Sequence, residues 1–473
     1  MLVQLTSTDL LCDPMGLCGA FALAIPADWT AEDTAAFEGR LKAAADRVTG
    51  LWAIDVPDDV DLASKTRALF SFTTSSHRRL YHQETGFPSP LPSLSSATSG
   101  FLPQPNTEHF CPSSVPADLG AREKQQLPLL HVHVSSFSDA LAIGINLPHG
   151  ALDGTGMGFV VRALDAELHG RGDWVVPHVE EINPVQATCE ELVRDAKVEA
   201  EGEGKLPPIL AGCSDSASPV AVARLVSSAL WEAAWFRSTE RRLFVRQAVL
   251  ALVAKRVKAA VLAETDGKEF VSSADAVTAW LLKSFHADEA DPSSYFWADP
   301  VFSFRPLLST YTPSSSSSPR SFSLYPHNSV VPYIVPPGTP IPLSTLASTP
   351  AHCLALDLRR GLNNDRALPV LRGIWRKQAS FKGPLVPTKD WPELPSLVRR
   401  VFPFETPHIT RWSISNQTTL GLADIRFPGK DGDDLPLLSY YLLISSPLAV
   451  DHYVNWQDVP GAGIVKMEKE DEA

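Results

Sequence analysis

The sharpest change of hydrophobic period along the chain falls between residues 129 and 169. Leu129–Ser135 sets Leu130, Val132 and Val134 against His131 and His133 with period two, which predicts a strand. Leu141-Ala142-Ile143-Gly144-Ile145-Asn146-Leu147 is an almost unbroken apolar run of strand length. From Gly156 to about His169 the pattern predicts a helix. Between strand and helix stands His149-Gly150-Ala151-Leu152-Asp153-Gly154, with a histidine and an aspartate four positions apart. A tight corner at the end of a core strand holds a side chain rigidly and leaves one face open to a cleft.

Elsewhere, Phe37, Leu41, Ala45 and Val48 recur at helical spacing, predicting an amphipathic helix over 32–48. Residues 85–128 are rich in Pro and Ser and poor in periodicity, which reads as a long surface excursion. A Glu-rich stretch, Glu190 to Lys205, runs into Pro207-Pro208, and Gly212 to Pro219 follows. This is the expected link, over 206–222, between a domain at 1–205 and another at 223–473. Residues 223–263 are helical in composition, with a basic face at Arg241, Arg242, Arg246, Lys255, Arg256 and Lys258. Ser272-Ser273-Ala274-Asp275 opens another helix as a capping box, with Val277, Leu281 and Phe285 as its buried stripe. The serine run at 314–318 is low complexity, Val330-Val331 is a short strand, and Leu437–Ser445 is the last clear strand. Strands and helices alternate irregularly, so the class is α/β or α+β with mixed sheets.

The 473 residues suggest two domains, and 44% apolar with 20% charged residues is a globular composition. A net charge of −13 argues against a nucleic-acid partner. Six cysteines without C-x-x-C spacing read as reduced thiols in a cytoplasmic protein. No secretory leader and no membrane-spanning apolar run are expected. His131 and His133 share a strand face but lack a third patterned ligand, so no metal is expected. Gly154-Thr155-Gly156-Met157-Gly158 lacks the spacing and the lysine of a phosphate loop, and no G-x-S-x-G is present.

Several of these segments together resemble the BAHD family of coenzyme-A-dependent acyltransferases, in particular its divergent fungal members. H-x-x-x-D-G at His149–Gly154 is preceded by the proline-led strand from Pro128. Downstream, Val271–Trp280 is similar to the family's Ser-x-x-Asp helix start, Phe302–Pro306 to its arginine-bearing strand, and Tyr325–Val331 to its Tyr-x-Gly-Asn segment, with His327 in place of the glycine. The second family signature, D-F-G-W-G, is degraded at Asp424–Lys430, where Arg426 and Pro428 replace glycines.

The resemblance implies two chloramphenicol-acetyltransferase-like domains with an active-site channel between them and His149 midway along it. His149 would be the general base, and its neutral form is plentiful near pH 7 because an unperturbed imidazole has a pKa of about 6.5. Asp153 would be structural, paired with Arg305. Ser272, Asn328 and Trp412 are carried over as cofactor-side residues, with Asn328, Trp412 and Ser413 as possible oxyanion donors. The implied reaction is acyl transfer, with acetyl favoured, from acyl-CoA to a hydroxyl of a specialised metabolite. No permanently bound cofactor is implied, and the protein would act as a monomer. Two rivals stand beside this reading. One is a peptide-synthetase condensation-like domain, against which Pro148 stands where an adjacent histidine is usual. The other is a non-catalytic relative that kept the fold.

Overall fold

A computed structural model describes residues 15–52, 70–85, 100–102, 106–172, 174, 184–195, 197–198, 238–287, 295–312, 321–325, 329–331, 341–346, 348–379, 409–417, 420–445, 452–459 and 462–470. The strands are β1 (Gly16–Ala24), β2 (Phe70–Ser76), β3 (Gly100–Leu102), β4 (Leu130–Ser136), β5 (Ala140–Pro148), β6 (Ser238–Arg246), β7 (Tyr295–Ser303), β8 (Val330–Val331), β9 (Ile341–Pro342), β10 (Ile409–Asn416), β11 (Leu437–Ser445), β12 (His452–Val459) and β13 (Ala462–Glu470). The helices are α1 (Ala31–Trp52), α2 (Tyr81–Thr85), α3 (Leu119–Lys124), α4 (Gly154–Leu168), α5 (Pro184–Arg194), α6 (Gln247–Glu264), α7 (Ser273–Phe285), α8 (Arg305–Leu308), α9 (Leu343–Leu346), α10 (Ala351–Asp365) and α11 (Leu368–Ala379).

The strands form two mixed sheets. The first has the order β11-β1-β5-β4-β2, antiparallel except for the β4–β2 pair. The second runs β3-β6-β13-β12-β10-β7-β8, with β9 also on β7 and with β10 parallel to both β12 and β7. Each sheet takes a strand from the far part of the chain: β11 completes the first, and β3 edges the second. The proposed linker at 206–222 lies outside the described residues. Among the described residues no helix is long and apolar enough to cross a membrane.

β5 reads as a continuous apolar run because it is covered on both faces, and every one of its residues is buried. One face lies under α4: a Cβ added at Gly19, opposite Ile145, would sit 3.5 Å from Met157 Sδ and 3.6 Å from Val161. The other face meets the backbone of Phe110, whose carbonyl carbon and oxygen would lie 2.4 and 1.7 Å from a Cβ at Gly144. Gly144 is therefore a position of close backbone approach, and an alanine there displaces either strand or loop. Phe110 is fully buried, and its carbonyl accepts from Asn146 Nδ2 at 3.0 Å.

Three expectations are corrected here. Part of the 85–128 excursion turns inward, with Phe110, His109 and Arg122 buried, because the missing side chain at Gly144 admits its backbone. Residues 86–99 and 103–105 lie outside the described residues. Ser238–Arg246 is a strand, so Arg241, Arg242 and Arg246 do not share a helix face with Lys255, Arg256 and Lys258. Pairing with β13 on one side and β3 on the other outweighs weak helix propensity, and Leu243-Phe244-Val245 suits a strand. Finally, Arg305 is not on the strand but opens α8 directly after β7, where Pro306 favours a helical first turn.

Candidate active site

β5 delivers the chain to Pro148 in the middle of the first sheet, and the corner follows at once. The His149 backbone N–H donates to Met15 O at 2.8 Å, and that of Ala151 donates to Pro148 O at 3.1 Å. These two bonds fix the backbone on either side of His149, whose residue is half-buried while Ala151 and Leu152 are buried. The chain then enters α4 through Asp153, the N-cap, so that the helix begins at Gly154, two residues earlier than the periodicity suggested.

Asp153 is 1% exposed and accepts five hydrogen bonds. Its Oδ1 takes the N–H groups of Thr155 (3.0 Å) and Gly156 (3.1 Å), capping α4, and Arg305 NH2 (3.0 Å). Its Oδ2 takes Arg305 NH1 (2.8 Å) and the Ser329 N–H (3.1 Å). Arg305 is itself buried and donates from Nε to Tyr325 O at 2.9 Å and from NH1 to Ser303 Oγ at 3.1 Å. A carboxylate offers about four lone-pair directions, so none remains for a substrate. The same bonds close the α4 N-terminus, so Gly154–Gly158 is a capped helix start and not a phosphate loop. A Cβ at Gly154 would meet Leu420 Cδ1 at 3.1 Å.

The other predicted residues are spread more widely. Ser272 is the N-cap of α7; its hydroxyl accepts from the Asp275 N–H at 3.2 Å and donates to Asp275 Oδ2 at 2.7 Å. Trp412 and Ser413 lie in β10, paired with Ala298 and Asp299 of β7 and with His452 and Tyr453 of β12. Asn328 lies outside the described residues, as does His327. The degraded segment is structural: Asp424 ends a short 3-10 turn and is exposed, while Ile425 and Phe427 are buried. Phe427 packs 5.4 Å from the Phe21 ring, and the carbonyls of Pro428 and Gly429 accept from Arg40 NH2 at 3.1 Å each.

His131 and His133 are served by hydroxyls of the neighbouring β2 and of β4 itself. Ser71 meets His131 Nδ1 at 2.6 Å, Thr73 meets His133 Nδ1 at 2.7 Å, and Ser135 meets His133 Nε2 at 3.0 Å. Burial, foremost, holds both imidazoles down to about 4. The Arg122 charge adds to this for His131, and the neighbouring His109 and His77 add to it for His133.

No family model matches the sequence. The O-acyltransferase pboC of Aspergillus ustus is 26% identical over 260 residues, covering 54% of this chain and 48% of that protein, so about half of that relative has a counterpart here. TRI101 of F. graminearum, complexed with coenzyme A and deoxynivalenol, superposes with a TM-score of 0.60 at 14% identity over 99% of this chain and 95% of that one. TRI101 of F. sporotrichioides, complexed with coenzyme A and T-2, gives 0.58 at 13% identity over 100% and 95%. The chain has the fold of the BAHD acyltransferases. The first condensation domain of the calcium-dependent antibiotic synthetase, with a substrate analogue, is also similar in fold, at a TM-score of 0.50 and 12% identity over 98% and 90%.

Within this fold the motif histidine and aspartate divide sharply. Asp153 is consumed by the corner; His149 stands beside it at the mouth of the central strand. Sequence reading missed Ser303, Tyr325 and Ser329 as partners of the Asp153–Arg305 pair. Two of their three contacts use backbone atoms, which leave no trace in residue identity.

Proposed function

We propose that this chain is an acyl-CoA-dependent O-acyltransferase in which His149 is the general base. The carrying observation is a half-buried histidine at the end of the central β5 strand, next to a corner locked by five bonds to Asp153. The fold it shares with TRI101 and the partial match to a fungal O-acyltransferase support the same reading. The acceptor hydroxyl gives its proton to the His149 imidazole as its oxygen attacks the thioester carbonyl. The tetrahedral intermediate then collapses, the C–S bond breaks, and the imidazolium returns the proton to the CoA thiolate. Base catalysis of this kind contributes roughly 10²–10⁴-fold. The thioester is already activated, so no covalent enzyme intermediate is needed. Acetyl is the proposed acyl group and a specialised-metabolite alcohol the proposed acceptor, taken up by a cytoplasmic monomer through a channel that His149 faces.

Calorimetric titration with acetyl-CoA and free CoA tests the donor without knowledge of the acceptor, and saturable binding of both is expected. His149→Ala should keep that binding and lose turnover by 10²-fold or more. Turnover that survives in His149→Ala removes the base assignment. Failure of acyl-CoA to bind, with acylation from a carrier-bound thioester instead, turns the reading to the condensation-like class.

A further inference from the structure

We propose that Glu264, His352 and Cys353 form a zinc-binding site on the face of the molecule where α6 meets α10. Spacing along the chain does not reveal it, because Glu264 and Cys353 are 89 residues apart. Packing brings them together: Glu264 is the last residue of α6, and His352 and Cys353 lie in the first turn of α10. The two helices are held by a shared apolar core that includes Val257, Val261, Leu354 and Ala355.

The three donor atoms, an imidazole nitrogen, a sulfur and a carboxylate oxygen, lie within 4.8 Å of one another. His352 Nε2 is 2.8 Å from Glu264 Oε2, and the Cys353 thiol donates toward Glu264 Oε2 at 3.7 Å and Oε1 at 4.0 Å. Around a tetrahedral zinc with bonds of about 2.0–2.3 Å, donor atoms sit roughly 3.3–3.8 Å apart. The 3.7 Å sulfur–oxygen distance already falls in that range; the 2.8 Å nitrogen–oxygen contact has to open, and the nitrogen–sulfur separation, within 4.8 Å, has to settle at roughly 3.8 Å as the ion is gripped. The Glu264 and His352 side chains are 48% and 29% exposed, which leaves a fourth position for water.

Charge favours a cation. Asp357, one turn along α10, adds a second carboxylate, partly offset by Arg360, which is 3.9 Å from Asp357 and also paired with Glu269. When zinc binds, the Cys353 S–H proton leaves to solvent as the Zn–S bond forms. Magnesium, which prefers six oxygen ligands, is a poor match for this donor set.

The test is zinc titration of the full chain, reduced and freed of metal, in competition with a chromophoric chelator. One equivalent should bind at micromolar affinity or tighter, with no competition from a large excess of magnesium. Cys353→Ser and His352→Gln, both at partly exposed positions, should each weaken binding at least tenfold with unchanged circular dichroism. Absence of stoichiometric binding overturns the proposal. So does unchanged affinity in both variants, which would put the zinc on other histidines or cysteines, and so does equal competition by magnesium.

Discussion

Two helix N-termini in this molecule are built from the same parts and used differently. At α4 and at α7 an aspartate at the helix start accepts from first-turn or cap backbone N–H groups, Asp153 as the N-cap itself and Asp275 three residues after its cap, and each is gripped by an arginine from far along the chain. Arg305 lies 152 residues from Asp153, and Arg359 lies 84 from Asp275. At α4 the pair is buried and the carboxylate gathers donors from α4, α8 and Ser329. At α7 the bonds converge on Asp275 Oδ2 from Ser272 and Arg359, in a part-buried setting. The first is a cross-brace between distant segments that also shapes the corner carrying His149. The second is a local capping box with a tether to α10. Burial separates them, because a desolvated charge that loses its partner has no water to replace it.

The largest expected effect is at the first site. Asp153→Asn should cost about 3–5 kcal/mol in urea unfolding, since it leaves the Arg305 charge buried without its counter-charge. A cooperatively folded variant of near wild-type stability would erase the contrast between the two caps. Ser272→Ala should cost about 1 kcal/mol, the ordinary loss of a cap. Equal losses at the two sites would mean that burial is not what divides them. The last prediction concerns pH and involves neither cap. His131 and His133, held down to about 4 when folded, take up protons more readily unfolded, where they titrate near 6.5. Their contribution to stability is full above about pH 6.5 and is lost as pH falls toward about 4. The urea midpoint of wild type and Ser272→Ala should decline in parallel over that window, and a flat profile would contradict the assignment.

The strand, corner and helix around His149 were legible because their hydrophobic periods differ and change within a few residues. The capping box at Ser272 was legible for a similar reason, since its partners are three residues apart. Arg305 was reached only through family resemblance; nothing local marks an arginine as the mate of an aspartate 152 residues away. β6 was misread because its arginines suit a helix as well as a strand, and its strand neighbours come from the chain's distant ends. Phe110 looked like part of a polar loop because the feature that draws it inward, the bare backbone at Gly144, belongs to another element.

The exchange of strands between the sheets has a consequence for biosynthesis. β1 leaves the ribosome well before one of its two partners, β11, which ends at Ser445. At about 5–20 residues per second, the nascent first sheet waits tens of seconds after β5 with one apolar edge unpaired. An open edge of this kind is a template for aggregation, so the yield of folded protein should depend on what shelters β1 during that interval.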